Sequence, residues 1–89
     1  NTLKGLNVRS CGWSSDDFKV VAEALCNNTS LEVLNVSDNP GDMTVLLEAL
    51  LTTRIQKLVT NNCNVGYLGC EALAKLLTNS PYLKDLRLS

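Results

Sequence analysis

The chain has 89 residues, 45% of them hydrophobic and 19% charged, with a formal net charge of −1. A chain of this length holds at most one small domain, which folded alone would bury about 60–65% of the surface exposed when unfolded. The near-neutral charge offers no basic footprint for nucleic acid or a lipid surface. No window reaches the ~18 consecutive apolar residues of a spanning helix, and the opening NTLKGLNVRS lacks the charged region and apolar core of a targeting segment.

In chain order, Leu3, Leu6, Val8 and Cys11 come first, at positions 1, 4, 6 and 9 of a short motif. Apolar residues at 4 and 6 alternate as a strand requires. A helical pattern follows, with Phe18, Val21, Ala22 and Leu25 at i, i+3, i+4 and i+7. Ser14 with Asp17 three residues on reads as a capping box at its start. Asn27 and Asn28 read as its stop, because asparagine tolerates the left-handed conformation.

The motif returns in SLEVLNVSDNP, where Leu31, Leu34, Val36 and Asn39 hold the same positions and Met43, Leu46, Leu47 and Leu50 repeat the helical spacing. It returns again as Ile55, Leu58, Thr60 and Cys63, with Cys70, Leu73, Ala74 and Leu77 as the inward helical residues and Asn79 with Pro81 as the stop. Leu83, Leu86 and Leu88 open a fourth copy. The starts are separated by 28, 24 and 28 residues. The shorter middle spacing is expected to come from loop deletions, with Pro40 and Gly41 making a tight turn. The units are 3–30, 31–54, 55–82 and a partial 83–89.

Position 9 has a physical role in this scheme. A chain that bends sharply out of a buried strand orphans backbone N–H and C=O groups, which must find partners. The Asn39 amide carries both donors and an acceptor, and cysteine at the same place is a small, weakly polar substitute.

These residues resemble the leucine-rich repeat, L-x-x-L-x-L-x-x-N/C-x-L, and the 28-residue period resembles its ribonuclease-inhibitor-like subclass. The resemblance covers essentially all of residues 3–89. It implies an α/β fold, a right-handed leucine-rich repeat solenoid or horseshoe with parallel strands on the concave face and helices on the convex face. It implies no enzyme activity and a cytoplasmic protein–protein interaction module, part of a sensor or scaffold such as a NOD-like receptor. The alternative is a regulator of enzyme activity similar to ribonuclease inhibitor or a Ran GTPase-activating protein. Flanking sequence discriminates the two, because a receptor carries an upstream nucleotide-binding module. With no capping unit at either end, the chain reads as a fragment of a longer array, so other repeats or domains of the same parent chain are expected partners.

No catalytic constellation is expected, since histidine is absent and no serine sits in a nucleophile-elbow context. Gly66 and Gly69 fall short of a phosphate-binding loop and read as packing glycines. No cofactor and no metal are called for, because zinc would need histidines or paired C-x-x-C motifs. The four cysteines are expected to be free thiols. Cys11 and Cys63 stand two strands apart, at about 10 Å, beyond the ~7 Å Cα limit of a disulfide. Free thiols mark a reducing compartment, so the acceptor triplets at Asn27, Asn28 and Asn35 are not expected to carry glycans. Trp13 at position 11, where the family usually has leucine, is expected to fill core.

The face left for a partner is strand positions 2, 3, 5, 7 and 8, which point away from the core if 1, 4 and 6 point into it. Five of the eight basic residues lie there (Lys4, Arg9, Lys57, Lys84, Arg87) against Glu32, Asp38 and Asp85, a net +2 where the rest of the chain is −3. Two cross-strand pairs are expected, Lys4 with Glu32 and Lys57 with Asp85. The candidate partner-binding residues are Val33, Asn35, Lys57, Val59, Asn61 and Arg87. Apolar groups ringed by hydrogen-bonding side chains match the anatomy of a modest protein interface. The expected partner is a protein with a mildly acidic surface, with no nucleic acid and no membrane insertion.

Overall fold

The computed structural model describes residues 3–26, 28, 30–63 and 65–88. The stop read at Asn27 lies outside these residues. Four three-residue strands, β1 (Gly5–Asn7), β2 (Val33–Asn35), β3 (Lys57–Val59) and β4 (Asp85–Arg87), form one sheet in the order β1-β2-β3-β4. All neighbours are parallel. Between the strands run helices α1 (Ser15–Leu25), α2 (Thr44–Ala49) continued by a 3-10 turn (Leu50–Thr52), and α3 (Tyr67–Asn79). The arrangement is α/β and compatible with a repeat fold.

The strand register follows the motif spacing. Gly5, Val33, Lys57 and Asp85 stand in one row, Leu6, Leu34, Leu58 and Leu86 in the next, and Asn7, Asn35, Val59 and Arg87 in a third. The same backbone bonds recur between neighbours. Glu32, Gln56 and Lys84 donate their amides to the carbonyls of Lys4, Glu32 and Gln56 at 2.7–2.8 Å, and Val8, Val36 and Thr60 donate to Asn35, Val59 and Arg87 at 2.9–3.0 Å.

The core lies between the Leu34–Leu58 row and the helices. Phe18, Leu31, Leu34, Val36, Met43, Leu46, Leu47, Leu50, Ile55 and Leu58 are fully buried in it. Thr60 takes its inward position and donates its hydroxyl to the Arg87 carbonyl at 3.3 Å. Trp13 packs against this cluster, half-buried, with its ring edge-on to Phe18 at 5.5 Å. The capping box is present: the Asp17 amide donates to Ser14 Oγ at 3.4 Å, and the Ser14 amide donates to the Asp17 carboxylate at 2.8 Å.

Four sequence readings are corrected here. In α3 the inward residues are Gly69, Ala72, Leu73 and Leu76, whereas Cys70, Ala74 and Leu77 are exposed. The helix is turned by one residue because its small side chains permit a close approach: a Cβ on Gly69 would stand 2.9 Å from Val65 Cγ1 and 3.4 Å from Thr44 Oγ1. Gly66 has open space around it and is not a packing glycine; it is the N-cap of α3.

The short middle spacing shortens the helix as well as the loops, since α2 has 6 residues against 11 and 13 in α1 and α3. Met43 and Leu50 are buried as expected but flank α2 rather than belong to it. Finally, Asn79 is the last residue of α3 in ordinary helical conformation, and the extended Ser80 before Pro81 ends the helix. Asn28 acts through its side chain, with Oδ1 accepting from the amides of Ser30 and Leu31 at 2.7 and 3.0 Å.

Candidate functional site

The bend after β2 is held by one side chain. Asn39, 2% exposed, donates from Nδ2 to the carbonyls of Val8 and Val36 at 2.9 Å each and to that of Ser37 at 3.3 Å. Its Oδ1 accepts from the Trp13 amide at 3.0 Å. The amide therefore ties its own bend to the one beside it. Cys63 does less at the equivalent place, its thiol donating to the Val36 carbonyl at 3.3 Å and the Asn61 carbonyl at 3.5 Å. Burial pushes the Cys63 thiol above its ordinary 9.0, against hydrogen bonds from the Asn39 and Asp38 backbone that lower it. Cys11 is exposed on the first bend and, among the described residues, its thiol donates to the Arg9 carbonyl at 3.8 Å. All four cysteines are free thiols, with Cys63 alone half-buried.

Position 8 carries a signal that the periodicity did not reveal. Ser10, Asp38 and Asn62 all have positive φ, at 57°, 60° and 51°. Each bend passes through the left-handed region, where Asp and Asn are the non-glycine residues best tolerated. At position 5, Asn7 and Asn35 accept at Oδ1 from the amides of Arg9 and Ser37, both at 3.0 Å, and so brace the entrance to the same turn.

The strand-face residues divide into open and covered ones. Val33 is 42% exposed and Arg87 is exposed, while Asn35, Lys57 and Asn61 are half-buried. Val59, read as an outward valine open to a partner, is only 9% exposed, because in its row it stands between the longer polar side chains of Asn35 and Arg87. Ser37, also placed on the open face, is buried and accepts from the Asn61 amide at 2.9 Å. Ser89, at position 7 of the last unit, lies outside the described residues.

The charges of this face largely satisfy one another. Arg9 Nε donates to Asp38 Oδ2 at 2.7 Å, an ion pair that the sequence reading missed because it joins positions 7 and 8 diagonally across strands. Arg9 and the Asn62 amide together hold the Asp38 carboxyl below its ordinary 3.8. Lys57 pairs with Asp85 at 4.0 Å as expected, but Asp85 also receives Arg87 at 3.4 Å. Arg87, a candidate for the partner face, thus has a carboxylate partner on its own strand. The expected Lys4–Glu32 pair is not among the ion pairs of the described residues, and both side chains instead line a pocket of about 340 Å³ with Arg54, Gln56 and Tyr82. There Arg54 lies over the Tyr82 ring at 5.7 Å.

No group of three or more potential metal ligands and no helix long and apolar enough to cross a membrane occurs among the described residues.

No family model matches the chain. It is similar to the mouse protein "NACHT, LRR and PYD domains-containing protein 5", with 35% identity over 91 residues covering 97% of this chain. It is also similar to the cattle protein of the same name, with 36% identity over 93 residues and 99% of this chain. The chain spans about 8% of the length of these curated relatives. The similarity is to one part of proteins whose name gives three kinds of domain, LRR among them. Neither relative is named for a catalytic activity.

Proposed function

We propose that the chain is a section of a right-handed leucine-rich repeat solenoid, strands on the inner curve, and that it works as a protein–protein interaction module in a cytoplasmic sensor or scaffold protein of the NOD-like receptor kind. The observation that carries this reading is the ladder in which four copies of the motif stand in register, Leu6 beside Leu34, Leu58 and Leu86. The division into units 3–30, 31–54, 55–82 and 83–89 belongs to the same proposal. The two relatives, whose printed name includes an LRR domain, support it over a stand-alone inhibitor.

The contact is centred on Val33, with Asn35, Lys57, Asn61 and Arg87 around it and Val59 as a covered floor between Asn35 and Arg87. Because Arg9, Lys57 and Arg87 already have carboxylate partners, Lys4 and Lys84 supply the mild positive charge toward an acidic partner surface. Val33→Asp and Arg87→Ala in the full-length protein test this by recovery of its binding partner, with Lys19→Ala and Asp16→Ala on α1 as controls. Loss in the first pair alone is the expected result. Loss in the α1 pair alone removes the strand face from the reading.

A further inference from the structure

The helical side carries a second surface that the strand-face reading does not use. Short α2 lies between two longer helices, and a groove runs along each of its sides. The larger, of about 320 Å³ between α1 and α2, has an apolar floor of Ala22, Val45 and Ala49 and is edged by Glu23, Glu48 and Cys26. Its far end is closed by Thr52, whose hydroxyl donates to the Cys26 carbonyl and ties the two helices together. The smaller groove, of about 130 Å³ between α2 and α3, shares Glu48 and adds Leu68, Glu71 and Lys75.

Val45 is 42% exposed and Leu68 64% exposed, so aliphatic surface faces solvent on both sides of α2. Glu23, Glu48 and Glu71 are all exposed, and none is in an ion pair within 4.0 Å among the described residues. Lys19 and Lys75 lie one turn from Glu23 and Glu71 on their own helices, and Lys75 shares the smaller groove with Glu48, whereas the larger groove is edged by Glu23 and Glu48 with no cation among the described residues of its lining.

We propose that the grooves flanking α2 dock a basic, amphipathic segment of a partner protein, its aliphatic side chain seated on Val45 and its lysines or arginines set against Glu23 and Glu48. An aliphatic anchor alone would leave these carboxylates facing an apolar surface, and a charged segment alone would leave Val45 and Leu68 wet. A segment that is apolar at its centre and cationic at its flanks answers both, and the charges would raise the association rate and its salt dependence more than the depth of binding. This surface is separate from the strand face, so either proposal can fail without the other.

Cys26 is a built-in reporter, being an exposed thiol on the groove edge, while the exposed Cys11 and Cys70 line neither groove. The full-length protein is titrated with a synthetic peptide of leucine anchors flanked by lysines, and with its counterpart carrying glutamates for lysines, while alkylation of each cysteine is followed by peptide mass spectrometry. The lysine peptide is expected to slow alkylation of Cys26 and leave Cys11 and Cys70 unchanged. Val45→Lys and Glu48→Lys should each weaken that protection by about tenfold or more, in keeping with loss of a central contact. The milder Glu48→Gln should weaken it less and guards against a folding artefact. Equal protection by both peptides, or protection insensitive to Val45→Lys and Glu48→Lys, overturns the proposal. So does a Cys26 that is unreactive before peptide is added, since another part of the chain or a second copy then occupies the groove.

Discussion

The segments that follow β2 and β3 meet the same packing problem and solve it differently. After β2, a buried amide holds the bend and large aliphatic side chains, Met43, Leu46, Leu47 and Leu50, fill the space to the sheet with no exposure at all. After β3, a half-buried thiol holds the bend, and α3 comes in close on Gly69 and Ala72, with only Leu73 and Leu76 as large contacts. The first solution depends on volume and hydrogen bonds. The second depends on a close approach that only small residues allow.

The largest expected effect separates the two bends. Asn39→Ala leaves the Trp13 amide and the Val8 carbonyl without their partner and the Val36 carbonyl with only the Cys63 thiol, and at 1–3 kcal/mol for each of the two orphaned groups the loss should be about 4 kcal/mol. Cys63→Ala removes two weak sulfur bonds and should cost about 1 kcal/mol or less. Denaturant unfolding of the two variants measures the gap. Equal losses would mean that the amide has no special place.

A smaller effect sharpens the helix comparison. Leu76→Ala, at a fully buried position, should destabilise by about 3 kcal/mol, while Leu77→Ala, 58% exposed, should stay within about 0.5 kcal/mol. The reverse order would restore the register in which Cys70, Leu73, Ala74 and Leu77 face inward.

The helix starts differ as well, since α1 has a capping box and α3 begins at Gly66 with no side-chain cap. Ser14→Ala should cost about 1 kcal/mol by equilibrium unfolding, whereas Gly66→Ala has no side-chain cap to lose. The same cap sets part of the acid response. Backbone and side-chain bonds with Ser14 lower the Asp17 carboxyl below its ordinary 3.8, and bonds from Arg9 and Asn62 lower Asp38, as those from Thr44 lower Asp42. Groups depressed in the folded state contribute stability that is present above 3.8 and lost as pH falls through their lower folded values. A pH titration of unfolding should therefore show stability falling only on the acid side of about 4, and less steeply in Ser14→Ala and Asp38→Asn.

The smallest effect is kinetic. Cys63, half-buried and with its thiol pushed up by burial, should alkylate more slowly than the exposed Cys11, Cys26 and Cys70, because the thiolate is the reacting form. A Cys63 that reacts first would mean that the second bend is open.

Much of the fold was legible in the residues. Spacing at positions 1, 4 and 6 placed Leu34, Leu58 and Leu86 in one row, and Asn39 was recognised as the pin of its bend. The face itself was partly legible: Val33 and Arg87 are open as read, but Val59 and Ser37 are covered. Burial on a strand face depends on the length of the side chains in neighbouring strands, which alternation along one strand does not encode.

Periodicity and short-range chemistry are properties of the chain itself, which is why strands, helix order, the Ser14–Asp17 cap and the Asn39 bend could be read directly from neighbouring residues. The turn of α3 could not, because Gly69, Ala72, Leu73, Leu76 and Cys70, Leu73, Ala74, Leu77 both satisfy i, i+3, i+4, i+7. The choice rests on how closely α3 approaches Thr44 at the start of α2, a distance that exists only once both helices are in place. The pairing of Arg9 with Asp38 has the same origin: the residues are 29 apart in the chain and meet only because two strands lie side by side.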